Sequence, residues 1–283
     1  MIRESAAEVR ILPDDQERPG VFARLTRSGW FMAVASPAIL LILWEGLVRA
    51  GLLDARFFPA PSSVVVELVA LCRTGELFVH LGYTLSRVAI GFAIGAVPGV
   101  LVGVVMGLSP VIRAFLQPAI SSIYPIPKVA LFPLAMLIFG LGEPSKWAIV
   151  AVAVFFQVLI STLAGVVNID RVYLDVAADF RASRWQAYRT IALPGALPFI
   201  FTGFQLGLGM ALIVVVIAEN FGTEHGLGYL IWHSWQIFEV RDMYVGLIMV
   251  ALLGYTSQLA MARLERSLIP WKRGGHLNIR STN

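Results

Sequence analysis

Three ionisable side chains stand inside long apolar runs of this sequence: Glu45, Lys128 and Glu219. A charge surrounded by hydrocarbon is costly, so such residues usually face a watery cavity, bind a charged solute or pair with one another. Lys128 closely follows Pro125 and Pro127, whose missing N–H groups leave backbone carbonyls free nearby. We therefore predict a solute pathway through the protein, with four candidate lining residues. They are Tyr124, Pro127, Lys128 and Glu219.

Two interpretations of Lys128 are open from the sequence. The residue lies about ten positions into its apolar run, which corresponds to about 15 Å of helix and to the middle of a hydrocarbon core about 30 Å thick. In the first interpretation the ammonium group lines the pathway and weakly attracts a passing anion. In the second it neutralises a carboxylate on a neighbouring helix.

The sequence lacks the residue patterns of metal, covalent and nucleotide chemistry. Its single cysteine, Cys72, excludes an internal disulfide and a CxxC metal site, and its four histidines show no HExxH spacing. A phosphate-binding P-loop needs a lysine directly after a glycine, and none of the three lysines follows one. We expect no enzyme activity, no metal and no cofactor in this chain, and we expect any ATP hydrolysis that drives it to occur in a partner subunit.

The composition of the chain indicates an integral membrane protein. Residues of the AVILMFWYC class make up 58% of the 283 residues and charged residues only 14%, whereas soluble domains are about 45–50% apolar. A helix needs about 20 apolar residues to cross the hydrocarbon core, so the chain has room for several spans and little mass outside them. The net charge of +4 is spread over tails and loops. We expect these cations to orient the protein in lipid and we expect no nucleic-acid partner.

Six apolar segments are predicted to be transmembrane helices, which gives an all-α fold. We assign residues 1–29 to an N-terminal tail, 30–267 to the membrane domain and 268–283 to a C-terminal tail.

Two of these segments have distinctive internal patterns. The second carries glycine at every fourth position from Gly91 to Gly107, a smooth ridge against which another helix can pack closely. The third contains Pro125, Pro127 and Pro133, each of which removes a backbone donor, so it is not expected to be one regular helix.

A polar stretch between the fourth and fifth segments, about residues 170–193, has an apolar pattern of its own. Three apolar residues in its first half are spaced four apart, and three in its second half are spaced three apart. These spacings predict two short amphipathic helices. The two sets are Val172, Val176 and Phe180, then Trp185, Tyr188 and Ile191. Pro194 or Pro198 is then expected to open the next apolar helix. Such aromatics outside the membrane usually mark contact with another protein.

The distribution of cations predicts the orientation. With the N-terminus inside, fifteen of the 22 Lys and Arg residues lie on the cytoplasmic side, including four in the stretch 170–193. By the positive-inside rule, that stretch and both termini are cytoplasmic.

The spacing within residues 170–193 resembles the EAA loop of permeases from binding-protein-dependent ABC importers. That loop has the pattern Glu-Ala-Ala, three residues, Gly, nine residues, then Ile-x-Leu-Pro. The corresponding residues here are Asp175, Val176, Ala177, Arg181, Ile191, Leu193 and Pro194. The intervals agree throughout, but Arg181 stands where the family has the glycine of a turn between two helices. If φ is positive there, a non-glycine residue carries about 1–2 kcal/mol of strain.

Five further pieces occur in the same order as in the nitrate, sulfonate, taurine and bicarbonate branch of these permeases. They are Trp44-Glu45, FFPAPSSV at 57–64, YPIPKVALFPL at 124–134, Ala218-Glu219 and GLG at 226–228.

The resemblance implies a six-helix permease subunit of the type I ABC importer kind in a bacterial inner membrane, with both termini in the cytoplasm. It implies a second permease copy, two ATP-binding subunits that hold ATP and magnesium, a periplasmic solute-binding protein, and a small anionic solute of the sulfonate, taurine or nitrate type. The implied ATPase-coupling residues are Asp175, Val176, Ala177, Phe180, Arg181, Ser183, Trp185, Tyr188, Ile191, Leu193 and Pro194.

An ion-gradient-driven secondary transporter is the alternative. It would need ionisable groups near the membrane midplane. Glu219 follows about 22 residues, or about 33 Å of helix, from the cytoplasmic entry of its segment, which places it near the outer boundary and away from a central relay.

Overall fold

The computed structural model describes residues 29–169, 172, 179–183, 186 and 188–270, and every regular element among them is helical. Residues before Ser62 and residues from Ser62 onward form two separate compact units. In the first unit, helix α1 (Gly29–Arg49) covers the first predicted apolar segment, which the sequence places at about residues 30–48. Glu45 lies near its end and accepts a hydrogen bond from the Arg49 Nε at 2.7 Å, so it has a cation as partner.

From Pro61 onward the described chain contains a series of long and short helices. They are α2 (Pro61–Thr74), α3 (Glu76–Leu108), α4 (Pro110–Ile123), α5 (Phe132–Phe139), α6 (Glu143–Val167), α7 (Leu193–Ala218), α8 (Leu227–Gln236) and α9 (Val240–Leu268). A 3₁₀ turn, Lys128–Leu131, precedes α5, and a π-helical turn, Tyr188–Ala192, leads into α7.

Helices α3, α6 and α7 form the core of the second unit. The glycine ridge of α3 lies against α6, as predicted: a Cβ atom on Gly95 would come within 2.3 Å of the Ala151 carbonyl oxygen. Helix α7 approaches α6 in the same way, because a Cβ atom on Gly203 would lie 2.8 Å from the Ser161 Cβ. Lipid tails are as apolar as side chains, so close van der Waals packing of backbones stabilises such helix pairs.

The third predicted span is broken, as its prolines indicated. Helix α4 ends at Ile123, and the segment from Lys128 to Phe139 turns away from it by 89°. Pro127 stands immediately before the 3₁₀ turn, and Pro133 lies in the first turn of α5, where a backbone donor is not required.

Four described helices are long and apolar enough to cross a membrane, namely α3, α6, α7 and α9. The bent pair of α4 and α5 supplies a fifth candidate if it is counted as one span. The described part of the chain is thus all-helical, as predicted, with several helices long and apolar enough to cross a membrane. The total of six spans stays a prediction.

Candidate functional site

Arg87 on α3 is fully buried and is the centre of a polar cluster that joins three helices. Its Nε donates to Glu143 Oε2 at 2.7 Å, and its Nη1 donates to Glu219 Oε1 at 2.9 Å. The guanidinium also donates to the His225 carbonyl at 2.6 Å, to Thr223 Oγ1 at 2.9 Å and to the second oxygen of Glu143. All five N–H groups therefore have acceptors. Because Glu143 begins α6 and Glu219 follows α7, this one side chain connects α3, α6 and α7.

Side chains spaced i, i+4 and i+7 on α3 bind the backbone that leads into α8. They are His80, Thr84 and Arg87, which share one face of the helix. The Gly226 N–H donates to His80 Nδ1 at 3.1 Å, and the Leu227 N–H donates to Thr84 Oγ1 at 2.8 Å. The N-terminal turn of α8 is thus held by α3.

The carboxylate of Glu219 completes this arrangement. It accepts from the Gly228 N–H at 2.8 Å and from Thr84 Oγ1 at 2.8 Å, and a carboxylate at a helix N-terminus is favoured by the helix dipole. The space around it leaves no room for a side chain. A Cβ atom on Gly226, whose φ is +125°, would lie 2.3 Å from Glu219 Cδ, and one on Gly228 would lie 2.1 Å from the Val216 carbonyl oxygen. We call this group the Arg87 cluster: His80, Thr84, Arg87, Glu143 and Glu219.

Lys146 on α6 is also fully buried and interacts through charge with the Arg87 cluster. Its Nζ donates to the carbonyls of Leu141 at 3.1 Å, Gly142 at 3.3 Å and Gly222 at 3.4 Å. Two buried cations and two carboxylates therefore meet at this end of the helices, and their formal charges balance. Such a set is stable only while every partner is present.

Lys128 is buried at the break between α4 and α5. Its Nζ donates to the carbonyls of Ile123 at 3.1 Å, Tyr124 at 2.9 Å and Ile126 at 3.0 Å. Pro127 has no N–H for the Ile123 carbonyl four residues earlier, so the lysine supplies the donor that proline lacks.

Aromatic rings complete the surroundings of this ammonium group. Its Nζ lies 4.5 Å from the centroid of the Phe156 ring and 5.6 Å from that of Tyr124. None of the ion pairs formed by the described residues includes Lys128. Its observed partners are therefore carbonyls and ring faces, which is a helix-capping arrangement rather than neutralisation of a carboxylate.

Replacing Lys128 with methionine is expected to lower both stability and anion transport. The change leaves three buried carbonyls without their donor, and an unsatisfied buried polar group costs about 1–3 kcal/mol. Thermal melting of the purified protein and import of an anionic solute measure the two effects, with Lys128→Arg as the control that keeps the charge and donors. Wild-type stability and transport in Lys128→Met would contradict both the capping role and the pathway role.

The predicted coupling residues lie partly outside the described part of the chain. Asp175, Val176, Ala177 and Trp185 fall there, and so does the side chain of Tyr188. Their predicted docking role is therefore neither supported nor opposed by the structure.

The described coupling residues form a turn between two helical pieces. Phe180 exposes 83% of its surface, and Arg181 follows with a φ of +53°, a left-handed conformation that favours glycine. Ser183 and Gln186 then exchange hydrogen bonds: the Gln186 N–H donates to Ser183 Oγ at 3.2 Å and the Ser183 N–H to Gln186 Oε1 at 2.8 Å. This reciprocal pair is a capping box, an arrangement typical of a helix N-terminus.

The end of the stretch enters the membrane helix as the sequence indicated. Ile191 belongs to the π-helical turn, and Leu193 and Pro194 form the first turn of α7. A proline is tolerated there because the first N–H groups of a helix have no intrahelical acceptor.

Replacing Arg181 with glycine is expected to be neutral or slightly stabilising. Relief of the positive φ gains about 1–2 kcal/mol, from which the greater backbone entropy of glycine removes about 0.5–1 kcal/mol. Thermal melting and solute-stimulated ATPase activity of the assembled transporter measure the result, with Arg181→Ala as the control that keeps the strain. A large loss of coupling in Arg181→Gly alone would mean that the arginine side chain makes a specific contact.

Residues 99–270, more than half of the chain, match the family described as "Binding-protein-dependent transport system inner membrane component". The chain belongs to this family. It is therefore a transport permease subunit.

Relatives of this permease share most of its length. It is 32% identical over 246 residues to the "Putative aliphatic sulfonates transport permease protein SsuC" of Bacillus subtilis (strain 168), covering 87% of this chain and 89% of that protein. It is also 32% identical to the "Taurine transport system permease protein TauC" of Escherichia coli (strain K12), covering 85% and 89%. The "Nitrate import permease protein NrtB" of Synechocystis is 26% identical, covering 82% and 87%.

A solved structure shares the fold. It is titled "Crystal structure of an amino acid ABC transporter with histidines" and superposes with a TM-score of 0.51 at 19% identity, over 73% of this permease and 96% of that chain.

Within this permease, the four predicted pathway residues fall into two places. Tyr124, Pro127 and Lys128 lie together at the break between α4 and α5, whereas Glu219 belongs to the Arg87 cluster. The pathway assignment itself stays a prediction for all four.

Sequence reasoning missed three charged residues of this site: the fully buried Arg87 and Lys146 and the partly exposed Glu143. Each stands near a predicted membrane boundary, where a charge is ordinary. One pattern could have revealed Arg87, because His80, Thr84 and Arg87 form a polar stripe at helical spacing on an otherwise apolar helix.

Proposed function

We propose that this permease imports a small sulfonate-type anion, energised by ATP hydrolysis in partner subunits. The observation that carries the proposal is 32% identity over 87% of the chain to a sulfonate permease, together with the same identity to a taurine permease. Both of these solutes carry a sulfonate group. The nitrate relative is less similar, at 26% identity, so we rank sulfonates before nitrate.

The assembly proposed is that of an importer in a bacterial inner membrane. Two copies of this chain, each with six spans and cytoplasmic termini, would form the path. Two ATP-binding subunits would hold ATP and magnesium, and a solute-binding protein would deliver the anion from the periplasm. The family's dependence on a binding protein and the cation-rich stretch 170–193 support this arrangement.

The experiment that tests this function is reconstitution of the permease with the products of the neighbouring genes. ATPase activity and uptake are measured with taurine, a longer alkanesulfonate, nitrate and an uncharged amide. We expect the sulfonates to stimulate ATP hydrolysis and to enter the vesicles. Uptake that follows an ion gradient without ATP would contradict the proposal and favour a secondary transporter, while a response to nitrate alone would overturn the solute class.

Replacing Phe180 and Tyr188 together with alanine is expected to release the ATP-binding subunit while the permease stays folded. Phe180 is almost fully exposed at the turn before Arg181, and desolvated aromatic anchors typically contribute more than about 2 kcal/mol to an interface. Co-purification of the ATP-binding subunit measures the effect.

The matched control for this double variant is Phe115→Ala. Phe115 on α4 exposes 80% of its surface, nearly the same as Phe180, but lies outside the stretch 170–193. We expect it to leave co-purification unchanged. Normal co-purification and coupled transport in the Phe180→Ala/Tyr188→Ala variant would contradict the docking role.

A further inference from the structure

His80 holds the start of α8 through a bond that only one protonation state allows. The residue is buried, and its Nδ1 accepts from the Gly226 N–H at 3.1 Å. A backbone N–H can only donate, so Nδ1 must carry no proton and the ring proton sits on Nε2. Nε2 faces Glu76 Oε1, one turn earlier on α3, at 3.6 Å.

Protonation of this imidazole has opposite effects on its contacts with Gly226 and with Glu76. A proton on Nδ1 turns that atom into a donor facing the Gly226 donor, so the bond to the α8 backbone is lost. The same proton gives the ring a positive charge, which attracts the Glu76 carboxylate on the opposite side. The charged ring is thus drawn away from α8 and toward the N-terminus of α3.

The groups that face His80 come from every element packed around it. Glu76 is the nearest charge. The His225 ring lies with its centroid 6.1 Å away in the loop before α8, and the Tyr229 ring stacks at 6.0 Å from α8 itself. Asp242 on α9 interacts through charge with Glu76.

The hydrogen bond to Gly226 is one of three that join α3 to consecutive residues of the α7–α8 connection. The neighbouring Leu227 N–H is bound by Thr84, and Arg87 donates to the His225 carbonyl immediately before Gly226. Gly226 has a φ of +125° and has no room for a Cβ atom, so the loop has little freedom to relax while keeping the other bonds. Release at His80 therefore disturbs the whole connection between α7 and α8.

We propose that His80 is a positioning residue that fixes the α7–α8 connection in its transport-competent arrangement only while its imidazole is neutral. Acid on the outer side of the membrane therefore slows import. The inference rests on the proposed function for its transport readout. It places a pH response in the permease itself, separate from any in the binding protein or the ATP-binding subunits.

The test compares His80→Asn with the wild type in reconstituted vesicles, with taurine as the probe. Asparagine places its Oδ1 where the histidine has Nδ1, so it keeps the acceptor for Gly226 but does not titrate. The initial rate is measured at about pH 7.5 and about pH 5.5 outside, the range in which histidine changes charge, with the inside held at about pH 7.5. We expect the wild type to lose about three- to tenfold in acid, the factor that one net hydrogen bond provides, and His80→Asn to lose less than half of its rate.

Three further variants separate a pH response from simple loss of structure. His80→Gln, which places its amide nearer the Nε2 position, should be slow at both pH values. Glu76→Gln removes the group that favours the charged ring, so the loss should move to lower pH. His233→Asn is the matched control, since that exposed histidine stacks on Tyr229 at 5.2 Å without binding Gly226, and it should keep the wild-type profile.

A second measurement keeps this proposal independent of the proposed solute. The melting temperature of the purified permease is measured at the two pH values. It should be lower in acid for the wild type and nearly the same at both for His80→Asn. If taurine does not enter at any pH, the solute assignment fails while melting still decides the role of His80. Coincident pH profiles for the wild type and His80→Asn, in uptake or in melting, would overturn the proposal, as would a wild type that is indifferent to acid.

Discussion

Replacing Gly95 with leucine is expected to prevent α3 from packing against α6 and to abolish a stable permease. Even the first added atom, a Cβ, would come within 2.3 Å of the Ala151 carbonyl oxygen and within 3.0 Å of its Cα. These are backbone atoms, which cannot rotate aside as a side chain can, so the two helices would have to separate. Overpacking of a closely packed core costs about 1–3 kcal/mol even where side chains can adjust, and here the cost should exceed that. Thermal melting and the yield of membrane-inserted protein measure the loss.

The matched control is Gly82→Leu on the same helix. A Cβ atom on Gly82 would meet no other atom within 4 Å, so the same chemical change has space there. We expect Gly82→Leu to insert and to melt close to the wild type. If Gly95→Leu did the same, the close contact of α3 with α6 would not be a determinant of the fold.

Replacing Arg87 with methionine is expected to destabilise the permease by about 3–5 kcal/mol, the usual cost of removing one partner from a buried ion pair. The methionine would leave Glu219 fully buried without its cation and would remove the donors to Glu143, Thr223 and the His225 carbonyl. The connection between α7 and α8 would lose its bonds to Arg87 and keep only those to His80 and Thr84 of α3. The melting temperature and the solute-stimulated ATPase activity should both fall.

Two comparison variants show whether burial is the reason. Arg56→Gln removes a guanidinium that pairs with Asp54 at 2.8 Å on the surface, where exposed ion pairs contribute little, so melting should hardly change. Adding Glu219→Gln to Arg87→Met removes the uncompensated charge and should recover part of the loss. Near wild-type melting of Arg87→Met alone would show that the buried network is dispensable.

The local features of this permease follow from its sequence because each depends on neighbours a few residues apart. Glycine at every fourth position between Gly91 and Gly107 predicted a close helix contact, and that ridge does lie on α6. Prolines predicted the break that separates α4 from α5. The sequence predicted that Pro194 or Pro198 opens α7, and Pro194 lies in its first turn. The family resemblance implied a turn at residue 181, where φ is positive although the residue is arginine.

The sequence could not reveal which charged residues are buried together. Arg87 and Glu219 are 132 residues apart, and Arg87 and Glu143 are 56 apart, so no helical or strand period relates them. Both arginine and glutamate near a membrane boundary are ordinary residues there. Only the packing of α3, α6 and α7 removes the side chains of Arg87 and Glu219 from water, whereas Glu143 stays partly exposed.

Lys128 shows the same division between local and tertiary information. The sequence placed it deep in the membrane next to freed carbonyls, and those carbonyls are its partners. The choice between a carbonyl cap and a carboxylate partner required the 89° turn of the chain, because only that turn brings the carbonyls of Ile123, Tyr124 and Ile126 around one ammonium group. The sequence by itself therefore determined the apolar segments, the proline break and the glycine face of α3, while the tertiary structure decided the partner of each buried charge, since desolvation depends on segments far apart in the chain.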